Sequence, residues 1–318
     1  MNTEKMRKVV VIGGGTGLSV LLRGLKTLPL DLAAIVTVAD DGGSSGRLRD
    51  ELNIPPPGDI RNVLLALSEA EPLFNALMQH RFKNGNGLSG HALGNLIIAA
   101  MTDITGDFFK AITEFSRVLN VKGKVLPASN QSIVLNATMS DGTIVTGESK
   151  IPLSEKKIKR VFLTPNHIKP LPETLKAIAE SDLIVLGPGS LYTSILPNLL
   201  VPGIADAIKK AKAKKVYICN VMTQQGETDS YCASDHVQAL TAHVGNTLVD
   251  TIIVNDAPIP EDIAALYALE GAKPVKCDLD RLKSSGYDII NGTFIQYDNN
   301  LIRHDMNKVS NVLLSLIT

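Results

Sequence analysis

Little in this chain points outside the ordinary range of globular proteins. It has three cysteines, Cys219, Cys232 and Cys277, widely separated and without a CxxC pair, which argues against a disulfide framework and a zinc cluster and fits a reducing cytosol. It has no net charge, 32 basic side chains standing against 32 acidic ones. No global field therefore draws it to nucleic acid or to an anionic membrane, and any anion site must be local. No apolar run approaches the roughly 20 residues of a membrane span, and the apolar stretch near the N-terminus is too short for a signal-peptide core. Internal repeats and low-complexity linkers are missing as well. What remains is a chain of 318 residues, 44% hydrophobic and 20% charged, long enough to bury a sizeable core. It is expected to be cytoplasmic.

The order of elements predicts a mixed α/β fold. "KVVVIGGGTGLSVLLRGLK" is a β-branched run, a glycine turn and a helix with Leu18, Leu21, Leu22 and Leu25 at helical spacing, and "DLAAIVTVAD" is the next strand. Together they make a βαβ unit with both loops at the carboxyl edge of a parallel sheet. Residues from about 58 to 120 read as a helical insertion, and those from about 132 to 149 as a β-hairpin turning at Asp141-Gly142. Four further helix-then-strand steps follow, the last over "EDIAALYALEGAKPVKCD". The expectation is a single α/β unit over 1–318.

Glycine and polar residues gather at the predicted sheet edge. Gly13, Gly14, Gly15, Thr16 and Gly17 are more than one tight turn requires, and they let a phosphate approach the backbone at a helix N-terminus. No Gly-Lys-Ser/Thr follows, and Leu18 stands where a dinucleotide fingerprint needs its third glycine. The next edge loop, "VADDGGSSGRLRDEL", sets Asp40 and Asp41 before Gly42, Gly43, Ser44, Ser45, Arg47 and Arg49. It reads as a flexible phosphate-handling loop in which an acid holds Mg²⁺ and an arginine meets a phosphate. A solvated loop whose arginines pair with Asp50 and Glu51 is the plain alternative.

"PPPGDIRN" adds Asp59, Arg61 and Asn62 at a helix start, where Asp59 has the usual place of an N-cap. "GNGLSGHALGN" carries His91 and Asn95 one turn apart, with His91 the more ordinary as a structural residue. In the second half, "LIVLGPGSLYTSILPNL" repeats the strand, glycine loop and helix logic with Gly187, Gly189, Ser190, Tyr192 and Thr193, and "CNVMTQQGETDSY" ends the next strand with Asn220 and Thr223. Tyr267 could pack its helix or stack on a base; Arg303 could reach a diphosphate or pair with Asp305. "KKIKR" and "KKAKAKK" lack interleaved aromatics and read as solvated faces.

Taken together, these loops closely resemble the gluconeogenesis factor family of bacteria, the non-catalytic relatives of 2-phospho-L-lactate transferase. The resemblance rests on "VIGGGTGLSVLLRGLK", "VTVADDGGSSGRLRDELNIPPPGDIRNVLLALS", "GNGLSGHALGNL", "GPGSLYTSILPNLLVPGI" and "VYICNVMTQQGETD", which span nearly the whole chain. It implies a Rossmann-like three-layer α/β/α sandwich with a nucleotide-diphosphate site at the glycine loops. On the gluconeogenesis factor branch the implied ligand is a UDP-sugar such as UDP-N-acetylglucosamine, and the implied role is in cell shape during gluconeogenic growth, with cell-wall synthesis proteins as expected partners and no cofactor required. On the transferase branch a guanosine diphosphate-linked phospholactyl donor meets a deazaflavin with the help of Mg²⁺, for which Asp40, Asp41 and Asp59 are the candidate ligands. An NAD-dependent oxidoreductase is the third reading, resting on the βαβ start and on Asp40. A homodimer is the general expectation. The chain ends at Thr318, short of the phosphorylatable tail of some relatives, so regulation through such a tail is not expected.

Overall fold

A computed structural model describes residues 6–245, 248–298 and 301–318. The chain begins with β1 (Arg7–Gly13), α1 (Gly15–Leu25) and β2 (Leu30–Val36), followed by the helices α2 (Gly43–Leu52), α3 (Gly58–Leu67), α4 (Pro72–Gln79), α5 (Leu93–Thr105) and α6 (Phe108–Val118). Strand β3 (Lys124–Pro127) returns to the main sheet, and β4 (Val134–Met139), β5 (Ile144–Thr146) and β6 (Ile158–Thr164) form a small antiparallel sheet of their own. Then come α7 (Pro172–Glu180), β7 (Leu183–Leu186), a π-helical turn over Leu191–Ile195 that runs into α8 (Leu196–Leu199), α9 (Ile204–Lys210) and β8 (Lys214–Ile218). The remaining elements are α10 (Ala233–Val244), β9 (Thr251–Asn255), α11 (Glu261–Leu269), α12 (Leu279–Ser284), β10 (Asp288–Gly292), the ribbon β11 (Ile295–Asp298) with β12 (Leu301–His304), and α13 (Met306–Ser315).

The central sheet has seven strands in the order β10-β9-β8-β7-β1-β2-β3, all pairs parallel. It is the Rossmann-like α/β sandwich that the element order predicts. β1 is buried from Val9 onward, as its run of β-branched residues requires when helices cover both faces. α1 lays Leu18, Leu21, Leu22 and Leu25 on the sheet, each such side chain adding about 1.5–3 kcal/mol when fully buried. From β1 the chain steps outward through β2 to β3, then returns beside β1 and steps the other way through β7, β8, β9 and β10. With right-handed crossovers the direction reverses between β1 and β7, and that is where a doubly wound sheet opens a crevice for ligands.

The structure departs from the sequence reading in four places. The Gly-Ser stretch read as a flexible loop is the first turn of α2, which Gly42 caps from an extended conformation. α1 begins at Gly15 rather than near Leu18, and Gly15 itself takes a left-handed φ of +65°, which suits glycine. Within the helical region, α3 packs on α1, β2 and β3. β3, four residues long and ending in proline, carries no clear strand signal in the sequence. Finally, "EDIAALYALEGAKPVKCD" holds α11 but no strand of the main sheet; the seventh strand is β10, with only isolated bridges at Pro274 and Lys276. The hairpin is present, turning with Gly142 at φ +87°, and gains β6 as a third strand.

Candidate functional site

The loop after β1 is built to approach other backbone closely. A Cβ on Gly14 would lie 2.6 Å from both Asp59 Oδ2 and Thr37 Cγ2, and one on Gly17 would lie 2.7 Å from the Pro188 carbonyl oxygen. The two glycine loops therefore touch across the switch point. Asn198, fully buried on α8, donates through Nδ2 to the Gly13 carbonyl at 3.0 Å and to the Ser194 carbonyl at 2.8 Å. The N-cap of α1 is Gly14; the Asp59 carboxyl accepts the Gly15 N–H, and the remaining first-turn N–H groups and the positive dipole end favour an anion.

These loops form one wall of a cavity of about 430 Å³. It is lined by Gly14–Gly17, Pro188–Ser190, Ser194, Asn220–Gln225, Tyr267, Glu270, Ala272, Ile302–His304 and Met306, with Val20 beneath. Of the residues predicted from sequence, Gly14, Gly15, Thr16, Gly17, Gly189, Ser190, Asn220, Thr223, Tyr267 and Arg303 meet here, drawn from five separate segments. Gln224 donates to Ser190 Oγ at 2.7 Å and accepts from Asn220 at 3.3 Å, so the three side chains are held in a row. The Tyr267 hydroxyl accepts the Ile302 N–H at 2.8 Å, which fixes the half-buried ring beside β12. Arg303 is exposed, and Asp305 pairs with Lys308 instead. Among the described residues Arg303 has no ion-pair partner.

Gly13 and Gly187 lie just beneath the cavity rather than in its lining. Gly13 accepts from Thr37 N and Asn198, and Gly187, at φ +81°, takes a backbone angle that a side chain would strain. Tyr192 and Thr193 turn the other way. The Tyr192 hydroxyl bonds Tyr231 at 2.7 Å, and Thr193 Oγ1 donates to Glu227 at 2.9 Å. They belong to the core because the π-helical turn rotates them inward, while the half-buried Ser190 and the buried Ser194 line the cavity. Glu227, which also accepts the Tyr192 N–H, is pushed up to about 6 by burial.

The other predicted residues lie on the far side of Gly14, toward β2. Asp40 Oδ1 accepts the Gly42 N–H at 2.8 Å, and Asp41 Oδ1 accepts the Ser149 N–H at 2.8 Å, tying the loop after β5 to α2. Arg47 reaches the Ser89 and Gly87 carbonyls at 2.7 and 3.0 Å, and Arg49 pairs with Asp50. Arg47 thus holds chain, whereas Arg49 pairs with its own neighbour and keeps a buried Nη1 without a partner. Ser44 Oγ bonds His91 Nδ1 at 3.1 Å and accepts from Asn95, while Arg61 Nη1 donates to Asn95 Oδ1 at 2.7 Å and Nη2 to Asn62 at 2.9 Å. Asn95 also lies 3.5 Å from Ser45 Oγ. This network binds α2, α3 and α5, and within it the Arg61 Nε is buried without a partner.

Asp59 does not cap its own helix, whose N-cap is Pro57. Its carboxyl faces Gly15 instead and is pushed up to about 6 by burial and by Asp40, against the pull of the Gly15 N–H and Arg61. Glu148, overlooked in the sequence, is raised further, to about 8, by burial and then by Asp40, Asp59, Asp41 and Glu227. These carboxylates confront one another with little positive charge among them. Among the described residues, however, no three His, Cys, Asp or Glu side chains stand at metal-ligand spacing. A cation here would need phosphate oxygens of a ligand to complete its shell, as Mg²⁺ commonly does.

Comparison with known proteins finds likenesses over nearly the whole chain. The family model for 2-phospho-L-lactate transferase CofD matches residues 9–295. A gluconeogenesis factor of Bacillus subtilis strain 168 is 63% identical over 310 residues, with 98% of each chain covered. That of Listeria innocua is 47% identical over 317 residues, covering 100% of this chain and 98% of the relative. Among solved structures, protein BH3568 of Bacillus halodurans is 64% identical and superposes with a TM-score of 0.96 over 98% of this chain and 100% of its own.

Proposed function

The chain belongs to the 2-phospho-L-lactate transferase CofD family, together with the gluconeogenesis factors, and from that premise we propose that it binds a nucleotide sugar and acts as a regulator. The ligand is a UDP-sugar such as UDP-N-acetylglucosamine, and the role is the maintenance of cell shape during gluconeogenic growth, exercised in the cytoplasm on proteins of cell-wall synthesis. One observation carries the binding half of the reading: a cavity at the β1/β7 switch point that joins the N-terminus of α1 to Tyr267 and Arg303. The diphosphate would lie against Gly14–Gly17 and Gly189, where bare backbone and the α1 dipole favour an anion. Arg303 would reach its charge, and the Tyr267 ring offers a face to the base. The amides of Asn220 and Gln224 supply donors and acceptors for a uracil edge or a sugar.

The first test is thermal unfolding with UDP-N-acetylglucosamine, GDP and NAD in turn, each with and without Mg²⁺. A ligand at about 100 times its dissociation constant adds roughly 2.7 kcal/mol, so the UDP-sugar alone is expected to raise the midpoint. A rise with GDP or NAD and none with the UDP-sugar would overturn the reading. Arg303→Ala should weaken the UDP-sugar by ~10–100-fold in a calorimetric titration, the worth of one charge-assisted hydrogen bond. Its unfolding midpoint should not change, because the side chain is exposed. Wild-type affinity in that variant would remove Arg303 from the site.

A second reading, a Mg²⁺-dependent transferase, is favoured by one observation beyond the cavity: the unpartnered Arg61 Nε near the first turn of α2, close to Asp40 and Asp59. Such a wall could hold a phosphate and a metal while an acceptor approaches. Turnover of a nucleotide-linked phospholactyl donor with Mg²⁺ would establish it. An oxidoreductase draws no support from Asp40, whose carboxylate serves Gly42 and is not part of the cavity lining.

A further inference from the structure

His304 stands in the cavity wall beside Arg303 with one ring nitrogen engaged and the other not. It closes β12, along which side chains alternate: Leu301 and Arg303 are exposed, while Ile302 and His304 turn inward. His304 is only 8% accessible. Its Nε2 lies 3.1 Å from the Cys219 carbonyl just past β8, and a carbonyl oxygen only accepts, so Nε2 carries a proton. Burial pushes the imidazole down to about 4, against the pull of that carbonyl. The ring therefore holds a single proton at neutral pH, and Nδ1 is left as an acceptor and nothing else.

Among the described residues nothing donates to Nδ1, yet it is not one of the buried nitrogens and oxygens left without a partner. It keeps contact with solvent, and the open space that His304 borders is the cavity. A strut to Cys219 needs one nitrogen; the second presents a fixed acceptor to the ligand. Tyr267, whose hydroxyl accepts the Ile302 N–H at 2.8 Å, is anchored two residues back along the same strand, about 7 Å away. A base stacked on that ring can turn its edge to Nδ1. Uracil carries an N–H at ring position 3, where cytosine carries a bare nitrogen. Against a fixed acceptor the first makes a hydrogen bond, and the second sets lone pair against lone pair.

We propose that His304 determines the base specificity of the cavity: its Nδ1 accepts the N3–H of uracil and so selects uridine over cytidine nucleotides. The inference rests on the nucleotide-sugar reading above. Ribose and sugar hydroxyls are donors too, but they are the same in both nucleotides, so a preference between the two bases isolates the ring N–H.

Calorimetric titration of the full chain with UDP and with CDP tests this. The wild type is expected to favour UDP by about 10–100-fold, the effect of leaving one buried acceptor unpaired. In His304→Gln the amide takes the place of Nε2 and keeps a donor for Cys219, but nothing stands at Nδ1. The preference should then fall to within about threefold, mainly through weaker UDP binding. Equal affinities in the wild type, or a preference unchanged in His304→Gln, overturn the proposal and leave the nucleotide-sugar reading standing if UDP-N-acetylglucosamine still binds. Failure of both UDP and the UDP-sugar to bind overturns the two together. Should the Gln variant fail to fold, the imidazole nitrogen NMR resonances of the wild type decide: the Nδ1 signal is expected to shift when UDP is added, and an unmoved signal overturns the proposal.

Discussion

Replacing Gly17 with valine is expected to abolish nucleotide-sugar binding, raising the dissociation constant by at least about 100-fold, a loss of roughly 2.7 kcal/mol or more. The reason is contact rather than backbone strain. A Cβ at position 17 would stand 2.7 Å from the Pro188 carbonyl oxygen and 3.1 Å from its carbon, and neither atom is the end of a flexible side chain. The loops after β1 and β7 would have to separate, and the N-terminus of α1 would withdraw from the position where a diphosphate meets it. Both loops sit at the sheet edge, so the fold should survive with the usual cost of overpacking, about 1–3 kcal/mol. Calorimetric titration with UDP-N-acetylglucosamine reads the first effect and the unfolding midpoint the second. Binding at wild-type strength would show that the two glycine loops do not hold the ligand.

Stability should fall as pH rises from about 5 to 8, and Glu148→Gln should remove much of that slope. Glu148 moves from its ordinary 4.5 to about 8 on folding, and Asp59 from 3.8 to about 6. Both shifts are upward, so between the two values the folded chain holds protons that the unfolded chain has released. The stability these groups allow is therefore complete at low pH and is lost as pH climbs toward the folded values. The groups that face Glu148 are Asp40, Asp41, Asp59 and Glu227, all acids, with Arg61 the cation acting on Asp59. A neutral amide at 148 relieves the repulsion at pH 8. After allowance for solvent at this partly exposed carboxyl, a gain of about 1–2 kcal/mol is expected. Midpoints of both proteins measured across that range decide the matter; parallel curves would mean that Glu148 is not the source. Mg²⁺ with a nucleotide should flatten the wild-type curve as well if the cation settles among these acids.

Several features were legible because they are local. Glycine runs after β-branched runs mark the edge loops, leucines at helical spacing mark α1, and Asp141-Gly142 marks the hairpin turn. Tyr267 and Arg303 were open to reading by residue type alone, each with an ordinary structural alternative beside it. Other features depended on distant neighbours. Asn198, a lone polar residue in an apolar stretch, could have been flagged, but not its hold on Gly13, 185 residues away. Glu148 follows a short hairpin with no local signal, and its character comes from acids on three other segments. Arg47 looked like a phosphate ligand by type, and it is a strut to the carbonyls of residues 87 and 89.

The sequence by itself determined the α/β class, the glycine loops at the carboxyl ends of strands, and the family, because turn chemistry, strand runs and helical spacing are written in neighbouring residues. Only the tertiary structure decided which candidates share a cavity. Strand order brings β7 beside β1, and that single adjacency sets Gly189 and Ser190 against Gly14–Gly17 while leaving Asp40, Asp41 and Arg61 on the other side of Asp59. Rotation of one π-helical turn sent Tyr192 and Thr193 inward and Ser190 outward. Burial and charge then raised Asp59 and Glu148, and neither burial nor charge proximity is a property that a residue carries along its own stretch of chain.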